Sequence, residues 1–279
     1  MNLTGETIFY IVQSVICFSS TIACLIILIL YSCSKSLNIY SFKFVFHLTL
    51  QNLIKSATLL IPDQINKISP LSCKLTAYLF YASSVSSTIW TFFIALNLYQ
   101  VIFLRCLDSN KRFKYFMFIS LFFPYAFCTI PFYFDLYGPT GVNCLMKNNH
   151  LGTLFRFSLY YIPAFLVISA CLWIYVKIFK TFHSDVVNTE GERDITRLLY
   201  FPLILVFCVV PALAYRVIES CGYTNFYAWL ATSCIWSLQG LLDVVAYALT
   251  RPIIRFIRIN FTTDTNLIET KSFSAYFSN

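Results

Sequence analysis

The sequence predicts an all-α integral membrane protein, built as a seven-transmembrane helix bundle with its N-terminus outside. Hydrophobic residues make up 58% of the 279 residues and charged residues only 11%, whereas an average soluble chain carries roughly 25% charged residues. Seven stretches are long and apolar enough to cross the hydrocarbon core of a bilayer as helices. Basic residues are distributed unequally between the two sides of those stretches.

Each predicted span meets the roughly 20-residue length that a membrane helix requires. The first has no basic flank before it and no small-residue cleavage site after it, so we expect it to be retained. The spans are Ile8–Tyr31, Phe42–Ile61, Thr76–Leu104, Tyr115–Phe134, Thr153–Phe179, Leu198–Ile218 and Phe226–Leu249. They define an extracellular N-terminus over 1–7, a transmembrane domain over 8–249 and a cytoplasmic segment over 250–279.

The orientation follows from the positive charges. Fourteen of the 20 Lys and Arg residues lie on the side that an outside N-terminus makes cytoplasmic, and four lie on the outer side. Cytoplasmic loops of membrane proteins carry such an excess. The net charge of +8 therefore indicates orientation and gives no support to nucleic-acid binding. We expect a multi-pass protein of the plasma membrane, in contact with lipid.

A short amphipathic helix is predicted after the seventh span. Pro252 is tolerated at the first position of a helix. Arg251, Arg255 and Arg258 would share one face of that helix, opposite apolar residues. This pattern is typical of a helix that lies on the inner leaflet.

Cysteine usage predicts one disulfide. Of the 11 cysteines, only Cys73, Cys144 and Cys221 fall on the oxidising outer side. Cys73 precedes the third span, and Cys144 lies in the loop between the fourth and fifth. A bridge between these two would hold that loop over the bundle, and the alternative is two unpaired thiols.

The sequence gives no indication of an enzyme. It contains no zinc-site spacing of Cys and His and no glycine-rich nucleotide loop. We therefore predict no catalytic residues, no metal and no cofactor.

Polar residues within the predicted spans lie at two depths. Ionisable groups at membrane depth generally face the bundle interior, so we expect both sets to point inward. His47, Asn97 and Asp243 lie near the inner ends of spans two, three and seven, and Gln51 and Asn52 lie one turn higher in the second span. They are predicted to form a hydrogen-bonded lock that can switch between two arrangements. Ordinary interhelical bonding is the alternative, and it contributes only about 0.6 kcal/mol per pair.

The upper level is basic. Lys55, Arg156 and Arg216 would line a positively charged vestibule suited to an anionic small molecule if all three point inward. Two of them have a simpler interpretation. Arg216 can pair with Glu219 one turn away, and Arg156 can extend toward lipid headgroups.

Prolines interrupt the fourth, fifth and sixth spans. Proline removes a backbone hydrogen bond and kinks a helix. The sixth span has two of them, Pro202 and Pro211, and we expect it to be the most bent. In the alternative reading, the prolines only shape packing.

Three segments resemble a known receptor family. They are Trp90–Tyr99, Arg197–Cys208 followed by Arg216, and Gln239–Asp243 followed by Tyr247. Together with Cys73 and Cys144, they resemble the slime-mould cyclic-AMP-receptor-like family of G-protein-coupled receptors. More distantly, they resemble the transmembrane bundle of the secretin/adhesion class.

The resemblance implies a receptor that passes an extracellular signal to a heterotrimeric G protein. Its ligand is not identified by the sequence. The basic residues expected to face the G protein are Arg105, Lys111, Arg112, Arg251 and Arg255. A small transporter or channel is the alternative function, and a membrane protein without signalling is a third possibility.

Overall fold

The computed structural model describes residues 3–33, 40–61, 69–104, 109–140, 143–184, 200–223 and 225–248. Within these residues the chain forms seven long helices, α1 to α7, and one two-stranded hairpin. The first four helices are Leu3–Cys33, Tyr40–Leu59, Pro70–Leu104 and Ser109–Tyr133. The last three are α5 (His150–Arg156, Phe157–Tyr161 and Ile162–Ser184), α6 (Tyr200–Ser220) and α7 (Phe226–Ser237 and Gln239–Ala248).

This architecture confirms an all-α membrane protein. Among the described residues, six helices are long and apolar enough to cross a membrane, namely all of them except α2. The 20 residues of α2 would still span about 30 Å at the rise of an α-helix. Its mean hydropathy is lower because it carries buried polar residues, and it packs against α1 and α3.

The outside of the bundle is apolar. On α1, side chains such as Ile11, Val15 and Phe18 are more than half exposed, and Phe118 and Phe122 are similarly exposed on α4. Exposed apolar side chains along entire helices are expected where the surrounding medium is lipid. These faces therefore define the lipid contact of the protein.

The centre of the bundle is α3. In its most apolar part 78% of the residues are buried, compared with 22% in α1. The helix contacts α2, α4, α5 and α6. Its middle is a run of serine and threonine, and each hydroxyl within it is satisfied by a main-chain carbonyl, as in the bond from Ser84 to Phe80 O at 2.7 Å. Small residues let neighbouring helices approach closely.

Prolines remove helical hydrogen bonds from two helices, and one of the two changes its winding. In α5, Phe157–Tyr161 forms a π-helical turn just before Pro163, which has no N–H to donate. In α4, Pro124 leaves the carbonyl of Ser120 without its usual helical donor. The Ser86 hydroxyl of α3 donates to that carbonyl at 2.7 Å, so this proline also joins two helices.

An interruption that the sequence analysis did not predict lies in α7. Leu238 forms a turn between Ser237 and Gln239, and its N–H bonds to the carbonyls of Cys234 and Ile235. The hairpin, β1 (Tyr137–Pro139) paired antiparallel with β2 (Cys144–Met146), is a second addition to the predicted all-helical fold. The amphipathic helix predicted after α7 lies outside the described residues.

Candidate functional site

The end of the bundle that carries the hairpin is called the outer end here, following the predicted orientation. The structure pairs Cys73, at the start of α3, with Cys144 in β2, and their Cα atoms are 5.3 Å apart. Asn143 donates to the buried Gln13 of α1 at 2.8 Å. The hairpin is thus attached to two helices and covers the outer end of the bundle.

Arg156 also supports the hairpin. Its side chain donates to Met146 O at 2.6 Å and to Asn148 Oδ1 at 2.8 Å, and the residue is only 6% exposed. Arg156 does not extend toward lipid headgroups, because a main-chain oxygen and an amide oxygen hold one nitrogen of its guanidinium inside the bundle. Arg156 has a structural role in anchoring the loop.

Asp135, Lys74 and Lys147 form a salt-bridge triad at the outer end of the bundle. Asp135 accepts from Lys74 at 2.6 Å and from Lys147 at 2.9 Å. Hydrogen bonds from Lys74 and then from Lys147 lower the pKa of this exposed carboxyl to about 2. The triad joins the turn before β1 to α3 and to the residue that follows β2.

Arg216 lies within an aromatic region beneath the hairpin. Its guanidinium pairs with Glu219 at 2.6 Å and interacts electrostatically with Tyr161 and Tyr81. Tyr160 packs against Tyr161, and the centroid of its ring is also 5.2 Å from that of Trp236 of α7. We call this group the outer cluster, and its members are Tyr81, Tyr160, Tyr161, Arg216 and Trp236.

Lys55 belongs to a different group. Its Nζ donates to Gln239 Oε1 at 2.7 Å, and the residue is 2% exposed. One turn further in, Asn52 Nδ2 donates to Asp243 Oδ2 at 2.7 Å, and Asp243 is 3% exposed. We call this group, together with Ser20 of α1, the central polar cluster.

Lys55 and Asp243 form no direct salt bridge, but they lie close enough to interact electrostatically. A buried cation and a buried carboxylate each require compensation, and here each is placed near the other. The two hydrogen bonds that flank them join α2 to α7 just below the turn at Leu238. This arrangement can hold α7 against α2, and breaking either bond would loosen that contact.

The structure therefore brings only part of the predicted vestibule together. Arg156 and Arg216 both interact electrostatically with Tyr161, so they share the outer region. Lys55 bonds to α7 in the central polar cluster instead. Its depth in α2 was visible in the sequence, but its partner Gln239 was overlooked. The spacing of four residues between Gln239 and Asp243, which places them on one face of a helix, was the available signal.

The structure likewise brings only part of the predicted inner lock together. The carboxylate of Asp243 accepts from Asn52, whereas the ring of His47 stacks on Trp90 with centroids 4.9 Å apart. Asn97 is buried on α3. Gln51 accepts from the Tyr125 hydroxyl of α4 at 2.9 Å.

At the inner end, Arg112 of α4 donates to Gln100 of α3 at 2.5 Å. The predicted partner-facing residues Arg105, Arg251 and Arg255 lie outside the described residues, as does the side chain of Lys111. In the part of the chain that is described, there is no group of three His, Cys, Asp or Glu residues that could hold a metal ion.

These features define a class of protein: a multi-pass α-helical membrane protein whose outer end is covered by a disulfide-linked hairpin and whose core contains a buried lysine and a buried aspartate. The family model for the slime mold cyclic AMP receptor matches residues 2–270. The chain belongs to that family. It is also 30% identical over 171 residues to cyclic AMP receptor-like protein A of Dictyostelium discoideum. That match covers 60% of this chain and 44% of the relative, so less than half of the relative's length is spanned.

Proposed function

We propose that the protein is a plasma-membrane receptor that binds an anionic small molecule in the outer cluster and activates a heterotrimeric G protein. The observation that carries this proposal is Arg216. It lies among aromatic side chains at the outer end, and Glu219 uses only part of its capacity, because a guanidinium has five N–H donors. An anion with an aromatic ring could stack on the tyrosines and accept from Arg216.

Family membership supports a signalling role, and the name of the relative suggests the first ligand to test. A cyclic nucleotide has both a phosphate for a guanidinium and a flat base for aromatic rings. Binding would favour one of two pre-existing conformations in proportion to its difference in affinity for them. The central polar cluster, which joins α2 to α7, is the element whose opening would accompany activation.

The experiment is nucleotide exchange on co-expressed G proteins, with cyclic nucleotides and other anionic metabolites as ligands. Loss of a charge-assisted hydrogen bond costs about 1.5–3 kcal/mol, so Arg216→Ala should weaken the response roughly 10- to 100-fold. Arg216→Lys should retain part of it. Lys147→Gln is the matched control, because it removes a positive charge at the same outer end without touching the cluster.

Glu219→Gln sharpens the test. Removing this carboxylate frees donors of Arg216 and removes a competing anion, so the response should shift to lower ligand concentration. If Arg216→Ala responds like the unmodified protein, the outer cluster is not the ligand site. Ligand-dependent flux in proteoliposomes without any nucleotide exchange would instead support a transporter or channel.

The inner basic residues are proposed to meet the G protein. Neutralising Arg105 and Arg112 together should abolish exchange while leaving ligand binding unchanged. Equal loss of both activities would indicate misfolding, and the thermal unfolding measurement described in the Discussion identifies that outcome.

A further inference from the structure

A groove between α3, α4 and α5 opens toward lipid in the outer half of the bundle. Its volume is about 310 Å³, which falls within the roughly 300–1,000 Å³ typical of small-molecule sites. Phe123 and Phe127 form one wall on α4, and Ser158, Leu159 and Pro163 form the other on α5. Both phenylalanines are nearly half exposed, so a molecule can enter the groove from the bilayer.

The lining of the groove is almost entirely apolar. Ser158 carries the one hydroxyl among the described lining residues, and it donates to Phe155 O of its own helix at 3.2 Å. No described lining side chain carries a charge. An ion or a polar metabolite would find no partner here, and an unpaired polar group in an apolar site costs roughly 1–3 kcal/mol. The groove therefore selects an apolar molecule, and the hydrocarbon of the membrane is its source.

The walls of the groove are rigid. Phe123 and Phe127 stack with their ring centroids 5.8 Å apart and an angle of 16° between their planes, and Pro124 and Pro163 add two closed rings. A flexible acyl chain would lose rotational freedom when held against such walls. A flat molecule of fused rings has little such freedom to lose, so it binds at a smaller entropic cost. Among membrane lipids, that description fits a sterol.

The groove adjoins the outer cluster. Ser158 and Leu159 belong to the π-helical turn Phe157–Tyr161, and the same turn carries Tyr160 and Tyr161 of the outer cluster, which are buried. Such turns are frequently found at functional sites. A molecule packed against the groove side of this turn would fix the position of the two tyrosines on its buried side.

We propose that a membrane sterol binds in the groove and, through the π-helical turn, changes the affinity of the outer cluster for its ligand. The sterol site stands by itself, whereas its effect on ligand affinity rests on the proposed function. Each part has its own experiment.

Photolabelling in phosphatidylcholine nanodiscs tests the site without a ligand or a G protein. The probe is a cholesterol analogue that carries a diazirine, and mass spectrometry locates its adducts. Peptides with residues 123–128 and 158–163 should be labelled several-fold more than peptides with Ile11 and Val15, which are more than half exposed on α1. Equal labelling would overturn the proposal, because the probe would then report only the surrounding lipid. Excess cholesterol should prevent the groove labelling, and equal protection by oleic acid would overturn the choice of a sterol.

A substitution that fills the groove gives a second test. Ser158→Phe places a ring in the groove at an exposed position and should reduce groove labelling several-fold. Ser169→Phe is the matched control, because it makes the same change at an exposed position further along α5, and it should leave labelling unchanged. Undiminished labelling of Ser158→Phe would overturn the site. The comparison of peptides within the unmodified protein holds even if a variant does not fold.

Nucleotide exchange in response to cyclic nucleotides, with and without cholesterol in the nanodiscs, tests the effect on the outer cluster. Coupling between two sites typically amounts to about 5- to 150-fold, so cholesterol should change the half-maximal ligand concentration at least about fivefold. Ser158→Phe should abolish that change. An unchanged concentration despite groove labelling would overturn the coupling. Absence of any exchange would refute the proposed function instead, and photolabelling would still decide the sterol site.

Discussion

Replacing Asp243 by Asn isolates the contribution of the buried charge pair. The substitution keeps the size of the side chain and its ability to accept from Asn52, which bonds to Asp243 at 2.7 Å. It removes the negative charge that compensates Lys55, a residue only 2% exposed. The amine of Lys55 would then be a buried cation stabilised mainly by the neutral amide of Gln239.

The magnitude follows from this burial. Removing one partner of a directly bonded buried ion pair destabilises a protein by about 3–5 kcal/mol, and the low end applies here because Lys55 and Asp243 are each bonded to a neutral amide instead. For a chain of this size, each kcal/mol shifts the unfolding temperature by about 2–4 °C. A loss of about 3 kcal/mol should therefore lower the unfolding temperature of Asp243→Asn by roughly 6–12 °C. Lys55→Met in the same protein removes the uncompensated charge. The double variant should therefore recover most of the lost stability, since replacing a whole pair is often neutral.

The assay uses thiols of the protein itself. Five of the described free cysteines are buried, and they react with a thiol-specific fluorescent dye only when the bundle opens. All variants are compared at one heating rate, because unfolding of membrane proteins is commonly irreversible. Asp135→Asn is the control, since the exposed salt bridges it removes are worth about 0–1 kcal/mol.

Two results would refute the reasoning. If Asp243→Asn unfolds at the temperature of the unmodified protein, Lys55 does not depend on Asp243. If the stability change of the double variant equals the sum of the changes in the two single variants, the two residues are not coupled. A non-additive recovery supports the charge pair as one unit.

Three further predictions concern the covering hairpin and the packing of α7. Cys144→Ser breaks the disulfide and should lower the unfolding temperature in line with a loss of about 2–4 kcal/mol, whereas Cys221→Ser should not lower it. Gels under non-reducing conditions check which thiols are free. Gly240→Ala should destabilise by about 1–3 kcal/mol through overpacking, and Ser20→Ala should partly restore the unfolding temperature by removing the hydroxyl that the new Cβ meets. Asp135 has a lowered pKa, so its salt bridges stabilise the protein at pH values above the usual carboxyl pKa, and this stabilisation should be lost as the pH falls from about 4 to 2. The unfolding temperature of Asp135→Asn should lack that pH dependence.

Much of the fold could be predicted from the sequence. The length of each apolar stretch corresponds to a helix, and the ends differ by a few residues, as in α3, which begins at Pro70 rather than Thr76. The hairpin was not predicted, since two strands of three residues carry no periodic pattern. The turn at Leu238 was also missed, because no proline or glycine stands at that residue.

The site could be predicted less completely. The sequence singled out Lys55, Asp243 and Arg216 because ionisable groups within a membrane need partners. It named Glu219 as a partner of Arg216, and the structure forms that ion pair, but it did not pair Lys55 with Gln239. Arg156 was expected at a vestibule, but the hairpin that it supports is formed by a loop whose course the sequence does not determine.

The sequence by itself determined the membrane class, the positions of the spans and the polar residues that must face inward, since these depend on local hydropathy and helical period. Only the tertiary structure decided that Lys55 meets Gln239, that Asn52 meets Asp243 and that Arg216 lies among tyrosines. The physical reason is that the helical period assigns a residue to a face of its own helix. The rotation and height of one helix against another come from side-chain packing across the whole bundle.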